Sequence, residues 1–166
     1  MRKGLRIMPN DQRLDATDAR ILLALSRNPR ATAVAIADEL GLSRNTVQSR
    51  LARLEQGDAL RSAEHRVDPA ALGYPLTAFV TVQARQRLLD EVGRALAAVP
   101  EVLQVRGLTG AQDLLVHVVA TDADDLYRIA GEILEIPGVE RTNNALVMRE
   151  MVPYRITPLL ERAARR

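Results

Sequence analysis

Near residue 76 the spacing of apolar residues changes, and the two parts it separates cannot share one architecture. From there Leu76, Ala78, Val80, Val82 and Ala84 alternate with Thr77, Phe79, Thr81 and Gln83, the period of two expected of a half-buried strand. Before it the apolar residues recur three and four positions apart, as on the buried stripe of a helix. Three such stripes follow one another: Ile21, Leu22 and Leu25; Ala33, Ile36, Ala37 and Leu40; Val47, Leu51 and Leu54. The chain of 166 residues is therefore expected to hold two small domains, helices first and an α+β sheet after them.

The helix boundaries are written in the residues that suit them. Asp15 can cap the first helix, with Asp18 in its first turn, and Asn28-Pro29 ends it. Thr32 can cap the second, and Gly41 supplies the left-handed residue that stops it. Ser43 can cap the third, which Gly57 closes. Ala59 to Val67 is predicted as a strand, and Asp68-Pro69 with Gly73-Tyr74-Pro75 as a hinge. Beyond Leu76 the order is strand, a helix over about 87–98, strands over about 101–108 and 114–120, a helix over about 122–135 and a last strand over about 139–149. That order is the ferredoxin-like βαββαβ arrangement. A weak repeat supports it: Val99-Pro100-Glu101-Val102 and Ile136-Pro137-Gly138-Val139 both stand where a helix hands over to a strand.

Charge is divided the same way. Residues 1–66 carry 12 Lys and Arg against 8 acidic residues, and residues 67–166 carry 11 against 13. A basic first third suggests a nucleic-acid-binding module. Two helices joined by Gly41-Leu42-Ser43 form a helix-turn-helix candidate in which the small Ala37 permits close approach. With Val47, Leu51 and Leu54 directed inward, Arg44, Asn45, Gln48, Ser49 and Arg53 project elsewhere. Arg reads guanine and Asn or Gln reads adenine in the major groove, and the N-terminal end of such a helix enters it. Arg44, Asn45 and Gln48 are the expected base readers, and Ser43 and Arg50 the expected phosphate contacts. A three-helix packing unit with an ordinary solvated face is the plainer alternative.

The run Leu14-Asp15-Ala16-Thr17-Asp18-Ala19-Arg20-Ile21-Leu22 resembles the opening of the Lrp/AsnC family of feast/famine transcriptional regulators. So does the run from Gly41-Leu42-Ser43-Arg44-Asn45-Thr46-Val47-Gln48 through Ser49-Arg50-Leu51-Ala52-Arg53-Leu54-Glu55, followed by Gly57. Leu72-Gly73 is similar to the family's hinge, Thr109-Gly110-Ala111-Gln112-Asp113 to its Gly-x-x-Asp loop, and Ile136-Pro137-Gly138-Val139 to its second Pro-Gly-Val. The resemblance covers about 14–150. It implies a (winged) helix-turn-helix domain over 14–58, a strand and hinge over 59–75, and a βαββαβ ligand-binding (RAM) domain over 76–150. An extension, 1–13, precedes them, and a tail, 151–166, follows without an assignment. The resemblance also implies double-stranded DNA as a partner, dimers often assembled into octamers, and regulation by amino acids. In the last strand Asn143, Asn144 and Ala145 stand where the family often carries Thr, bulky or β-branched residues.

For an effector the residues themselves offer less. Gly107 and Gly110 flank a turn whose backbone amides can hold a carboxylate, and Asp113 could pair with an ammonium group. Thr109, Gly110, Gln112 and Asp113 are the expected effector contacts, with the ligand's side chain facing Ala145 and Val147. A hairpin turn that needs glycine, with Asp113 as a local turn residue, accounts for the same pattern.

Other function classes find little support. There is no Cys, so no disulfide framework, zinc-finger site or thiol nucleophile is available. His65 and His117 lie in no metal-ligand spacing, and neither a Gly-x-Ser-x-Gly elbow nor a phosphate-binding loop is present. Asp122, Asp124 and Asp125 fit a helix cap with first-turn charges better than a cation site. Neither catalytic residues nor a cofactor is expected. No apolar run approaches the roughly 18 residues of a membrane span, and Met1 to Arg13 holds no apolar stretch of a signal peptide. A soluble cytoplasmic protein is the expectation. Leu115 and Val119 alternate with Leu114, Val116 and Val118, so the sheet should be apolar on both faces, and stacking the sheets of two chains would cover the second. Two other functions stay open: a ligand-independent architectural DNA-binding protein, and an amino-acid sensor whose helices bind a protein partner.

Overall fold

A computed structural model of the chain describes residues 14–56, 60 and 67–166. The elements in order are α1 (Ala16–Arg27), α2 (Ala33–Leu40), α3 (Arg44–Gln56), β1 (Leu76–Ala84), α4 (Leu89–Leu96), β2 (Val102–Gly107), β3 (Leu114–Ala120), α5 (Ala123–Leu134), β4 (Val139–Leu146) and α6 (Thr157–Ala164). They divide into two compact units. Among the described residues one comprises 14–56 and 60 together with Val152–Arg166, and the other 67–151. The expected extension 1–13, most of the expected strand 59–67 and His65 lie outside the described residues.

In the helical unit each start has the cap its sequence offers. Asp15 and Asp18 form a reciprocal capping box on α1, the Asp18 amide donating to Asp15 Oδ1 at 2.8 Å and the Asp15 amide to Asp18 Oδ2 at 3.1 Å. Thr32 Oγ1 accepts from the Ala35 amide at 3.2 Å, and Ser43 Oγ from the Thr46 amide at 3.1 Å. Gly41 ends α2 at φ +67°, in the left-handed region where a side chain would be strained. Ile21, Ala24, Ile36, Ala37 and Val47 form the buried core, with Leu25, Leu40, Leu42 and Leu51 packed at its edge. Truncating Ile36 to Ala here would cost about 2–5 kcal/mol. The tail, unassigned from sequence, contains α6. It opens with Pro158 in its first turn, packs against α1 and buries Leu160.

The second unit is a four-stranded antiparallel sheet in the order β2-β3-β1-β4. The chain order βαββαβ matches the expected split arrangement. Ala78, Val80, Val82 and Ala84 of β1 and Leu114, Val116, Val118 and Ala120 of β3 point to one face. Val92 and Leu96 of α4 and Ile129 and Ile133 of α5 cover it. Asp122 caps α5 through the Asp125 amide at 2.9 Å, with Asp124 and Asp125 in the first turn. The two Pro-containing repeats adopt the same turn: the Val102 amide bonds to the Val99 carbonyl at 3.1 Å and the Val139 amide to the Ile136 carbonyl at 3.0 Å. The ends differ from expectation in places. The stretch 87–98 begins as a short 3₁₀ turn over Gln86–Leu88 before α4. β4 stops at Leu146, short of residue 149, though the Val147 amide still reaches the Thr77 carbonyl at 2.9 Å.

Candidate nucleic-acid interface and effector recess

Helix α3 turns Val47 and Leu54 fully inward, which leaves the opposite side in solvent. Ser43, Arg44, Asn45, Gln48 and Ser49 are all exposed. The Ser43 hydroxyl caps the helix and shares a 2.8 Å hydrogen bond with Thr46 Oγ1, and the Ser49 hydroxyl donates to the Thr46 carbonyl at 3.1 Å. Among the described residues nothing pairs with the side chains of Arg44, Asn45 or Gln48. Three uncommitted groups of base-reading type thus stand together on the first half of α3.

Arg50 and Arg53 are placed differently from the others. Arg50 Nη1 donates to Asp15 Oδ2 at 2.6 Å and to Asp18 Oδ1 at 2.8 Å, and Arg53 Nη2 donates to Asp18 Oδ2 at 2.6 Å. The sequence predicts that Arg53 projects from the helix and that Arg50 contacts phosphate; in the structure both guanidinium groups have carboxylate partners within the protein. Helical geometry explains this, because at about 100° per residue Arg50 lies on the flank of the Val47–Leu54 stripe, beside α1. Asp18 has no exposed surface and is the buried charged residue among those described. The Arg50 hydrogen bond holds the Asp15 carboxyl below its ordinary value, and Asp15 in turn raises the Arg50 guanidinium. The capping carboxylates of α1 therefore also clamp the second half of α3. Sequence reasoning found the caps but not the clamp, since its partners are more than 30 positions apart.

In the sheet unit the expected effector residues spread over three places. Leu108 to Asp113 forms the loop between β2 and β3, closed by the Leu108 amide on the Asp113 carbonyl at 2.8 Å. Thr109 and Gly110 are exposed at its tip, with Gly110 at φ +118°. Gln112 lines a recess of about 350 Å³ together with Arg141, Thr142 and Asn143 of β4. Sequence reasoning did not nominate Arg141 or Thr142, because only the β1–β4 pairing, with Arg141 opposite Gln83, brings them to the loop. Ala145 stands opposite Phe79 in the ladder, and Val147 lies just past the strand end. Asp113 is already engaged: Oδ2 accepts from the Ala84 amide at 2.8 Å and Oδ1 from Gln86 Nε2 at 2.5 Å. Ala84 sits where the β1–β4 register shifts, so this carboxylate satisfies an amide that the irregular ladder leaves over.

The face of the sheet away from α4 and α5 carries Phe79, Leu115 and His117, all half-buried. Phe79 and His117 are cross-strand partners whose rings stack at 4.9 Å between centroids and 25° between planes. Burial, followed by the nearby Arg106 charge, holds His117 below its ordinary value. Among the described residues no group of His, Asp and Glu is arranged to hold a metal ion, and no helix is long and apolar enough to cross a membrane.

A capped helix-turn-helix joined to a βαββαβ sheet with a polar recess defines a DNA-binding regulator with a ligand-binding domain. Comparison with known proteins names the group. The AsnC-type helix-turn-helix domain matches residues 14–55, and the Lrp/AsnC ligand-binding domain matches 77–157. The chain belongs to the Lrp/AsnC family of transcriptional regulators. It is 30% identical to the HTH-type transcriptional regulator FL11 of Pyrococcus horikoshii over 82% of this chain and 90% of that one. It is 31% identical to AldR of Mycolicibacterium smegmatis over 86% of this chain and 88% of that one. A Neisseria meningitidis transcriptional regulator solved in complex with L-Met superposes with a TM-score of 0.74 at 28% identity, covering 85% of this chain and 94% of that one. The fold is shared with E. coli AsnC, at a TM-score of 0.78 and 24% identity over 88% and 99% of the two chains.

Proposed function

We propose that α3 reads the major groove of duplex DNA through Arg44, Asn45 and Gln48, and that a free amino acid bound at the sheet unit adjusts this binding. The observation that carries the DNA reading is the exposure of these three side chains, which have no partner among the described residues. They sit on the half of α3 not clamped by Asp15 and Asp18. Ser43 and Ser49 flank them as phosphate contacts. Arg50 and Arg53 act chiefly by holding α3 in place.

The effector would lie against the Leu108–Asp113 loop. The amides near Thr109 and Gly110, with the Arg141 guanidinium, suit its carboxylate, and Gln112 and Asn143 suit its polar groups. Its side chain would face Ala145 and Val147. Asp113 shapes the loop from behind through Ala84 and Gln86. The L-Met held by the Neisseria neighbour supports the amino-acid class. A homodimer would form by stacking the Phe79, Leu115 and His117 faces of two chains, giving the two-fold symmetry that paired DNA half-sites require; higher assembly to an octamer would build on it. The chain acts as a cytoplasmic regulator, not as an enzyme. A ligand can change DNA affinity only if it binds one assembly state better than another.

The test is duplex selection followed by binding measurements on the preferred site. Arg44→Ala or Gln48→Ala should weaken that site by about 1–3 kcal/mol and relax its base preference. Unchanged affinity and preference in both variants would remove α3 from the groove. Calorimetry with each free amino acid at millimolar concentration tests the effector, and no heat with any of them would leave a ligand-independent DNA-binding protein.

A further inference from the structure

Helix α6 belongs to the folded body that carries α3, not to the sheet unit that precedes it in the chain. Nearly all of it lies beyond residue 157, where the match to the ligand-binding domain ends. One face packs on α1: Leu160 is buried and Ala163 and Ala164 are half-buried, at spacings of three and four. Arg162, Arg165 and Arg166 repeat that spacing and are all exposed. At about 100° per residue they fall on the side opposite Leu160. The helical turn extends to include them, the Arg166 amide bonding to the Ala163 carbonyl at 3.3 Å. Among the described residues none of the three has an acidic partner, and Arg165 Nε donates only to the Glu161 carbonyl at 3.2 Å.

Elsewhere the described part of this body holds little net positive charge. Residues 14–56 contain six Arg against five acidic residues. Arg27, Arg50 and Arg53 are paired with Glu39, Asp15 and Asp18, which leaves Arg20, Arg30 and Arg44 without an acidic partner among the described residues. Residues 152–166 add four Arg against a single Glu. Basic residues at a helix C-terminus complement its dipole, but three on one outward face do more than that. Resting on the DNA-binding reading above, we propose that the Arg162, Arg165 and Arg166 face of α6 is a second DNA-contact surface of the body that carries α3, one that holds the phosphodiester backbone. Contacts of this kind add affinity and salt dependence without base preference.

The experiment compares the full chain with the triple variant R162Q/R165Q/R166Q on a preferred duplex and on a scrambled one, by fluorescence anisotropy between 50 and 200 mM salt. The proposal expects the variant to bind both duplexes about tenfold more weakly, with a salt slope reduced by about 2–3. The ranking of the duplexes and the melting temperature should not move, because the face points away from α1. An unchanged slope and affinity, with the wild type binding normally, would overturn this proposal alone. An unchanged slope with a smaller assembly in sedimentation would overturn it in favour of the acidic sheet unit of another copy, where residues 67–151 carry 12 acidic residues against 7 Arg. A wild type that binds neither duplex would overturn the DNA-binding reading on which the proposal rests.

Discussion

Asp18 and Arg53, 35 positions apart, meet at 2.6 Å where the first turn of α1 abuts the second half of α3. The carboxylate has no exposed surface, whereas about half of the arginine side chain reaches solvent. Replacing Asp18 with Ala removes one half of the α1 capping box and leaves Arg50 and Arg53 without their buried acceptor. The expected loss is about 2–3 kcal/mol, less than for a pair buried on both sides because both arginines can rehydrate. Urea denaturation followed by circular dichroism would measure it. Asp18→Asn should recover part of the loss, since an amide oxygen can still accept.

Asp113→Ala should destabilise the sheet unit with no ligand present, by about 1–3 kcal/mol, because the Ala84 amide then loses its acceptor. Thermal denaturation of the ligand-free protein is the measurement. An Asp113 that served only to hold an ammonium group would leave the ligand-free melting temperature unchanged.

If two sheets stack as proposed, the wild type should sediment as a dimer or larger at micromolar concentration in sedimentation velocity, and Phe79→Glu should sediment as a monomer. The substitution places a carboxylate at the centre of the open sheet face, where two copies would bring like charges together.

His117 gives this face a pH dependence. Its folded value lies below the ordinary 6.5, first through burial and then through the Arg106 charge, so folding favours the neutral ring. The stability it contributes is full above pH 6.5 and is lost as pH falls from there through the depressed value. Melting temperature followed from pH 7.5 to 5 should decline over that window, and His117→Gln should flatten the decline.

Much of the fold was legible in the sequence, and the local character of its signals explains why. Asp15, Thr32, Ser43 and Asp122 cap helices within three residues of themselves, and Gly41 turns the chain on the spot. The alternation from Leu76 to Ala84 fixes which face of β1 meets α4 and α5. What was hidden depends on distant partners. Nothing in the spacing of Arg50 and Arg53 announces Asp15 and Asp18. The role of Asp113 depends on a register shift at Ala84, which no periodicity reports. Helix α6 carries its own signals, a Pro in the first turn and an apolar stripe of Leu160, Ala163 and Ala164. It is short, however, and the surface that stabilises it lies at the other end of the chain.

That return of the chain has a consequence for biosynthesis. A protein made from its N-terminus completes α1, α2 and α3 early, yet the surface of α1 that receives α6 stays uncovered until Thr157–Ala164 has been made. The sheet unit is already made by then. The helical body is therefore complete only in a chain that has been translated through α6, and a product terminated before that helix would carry α3 on an incomplete support.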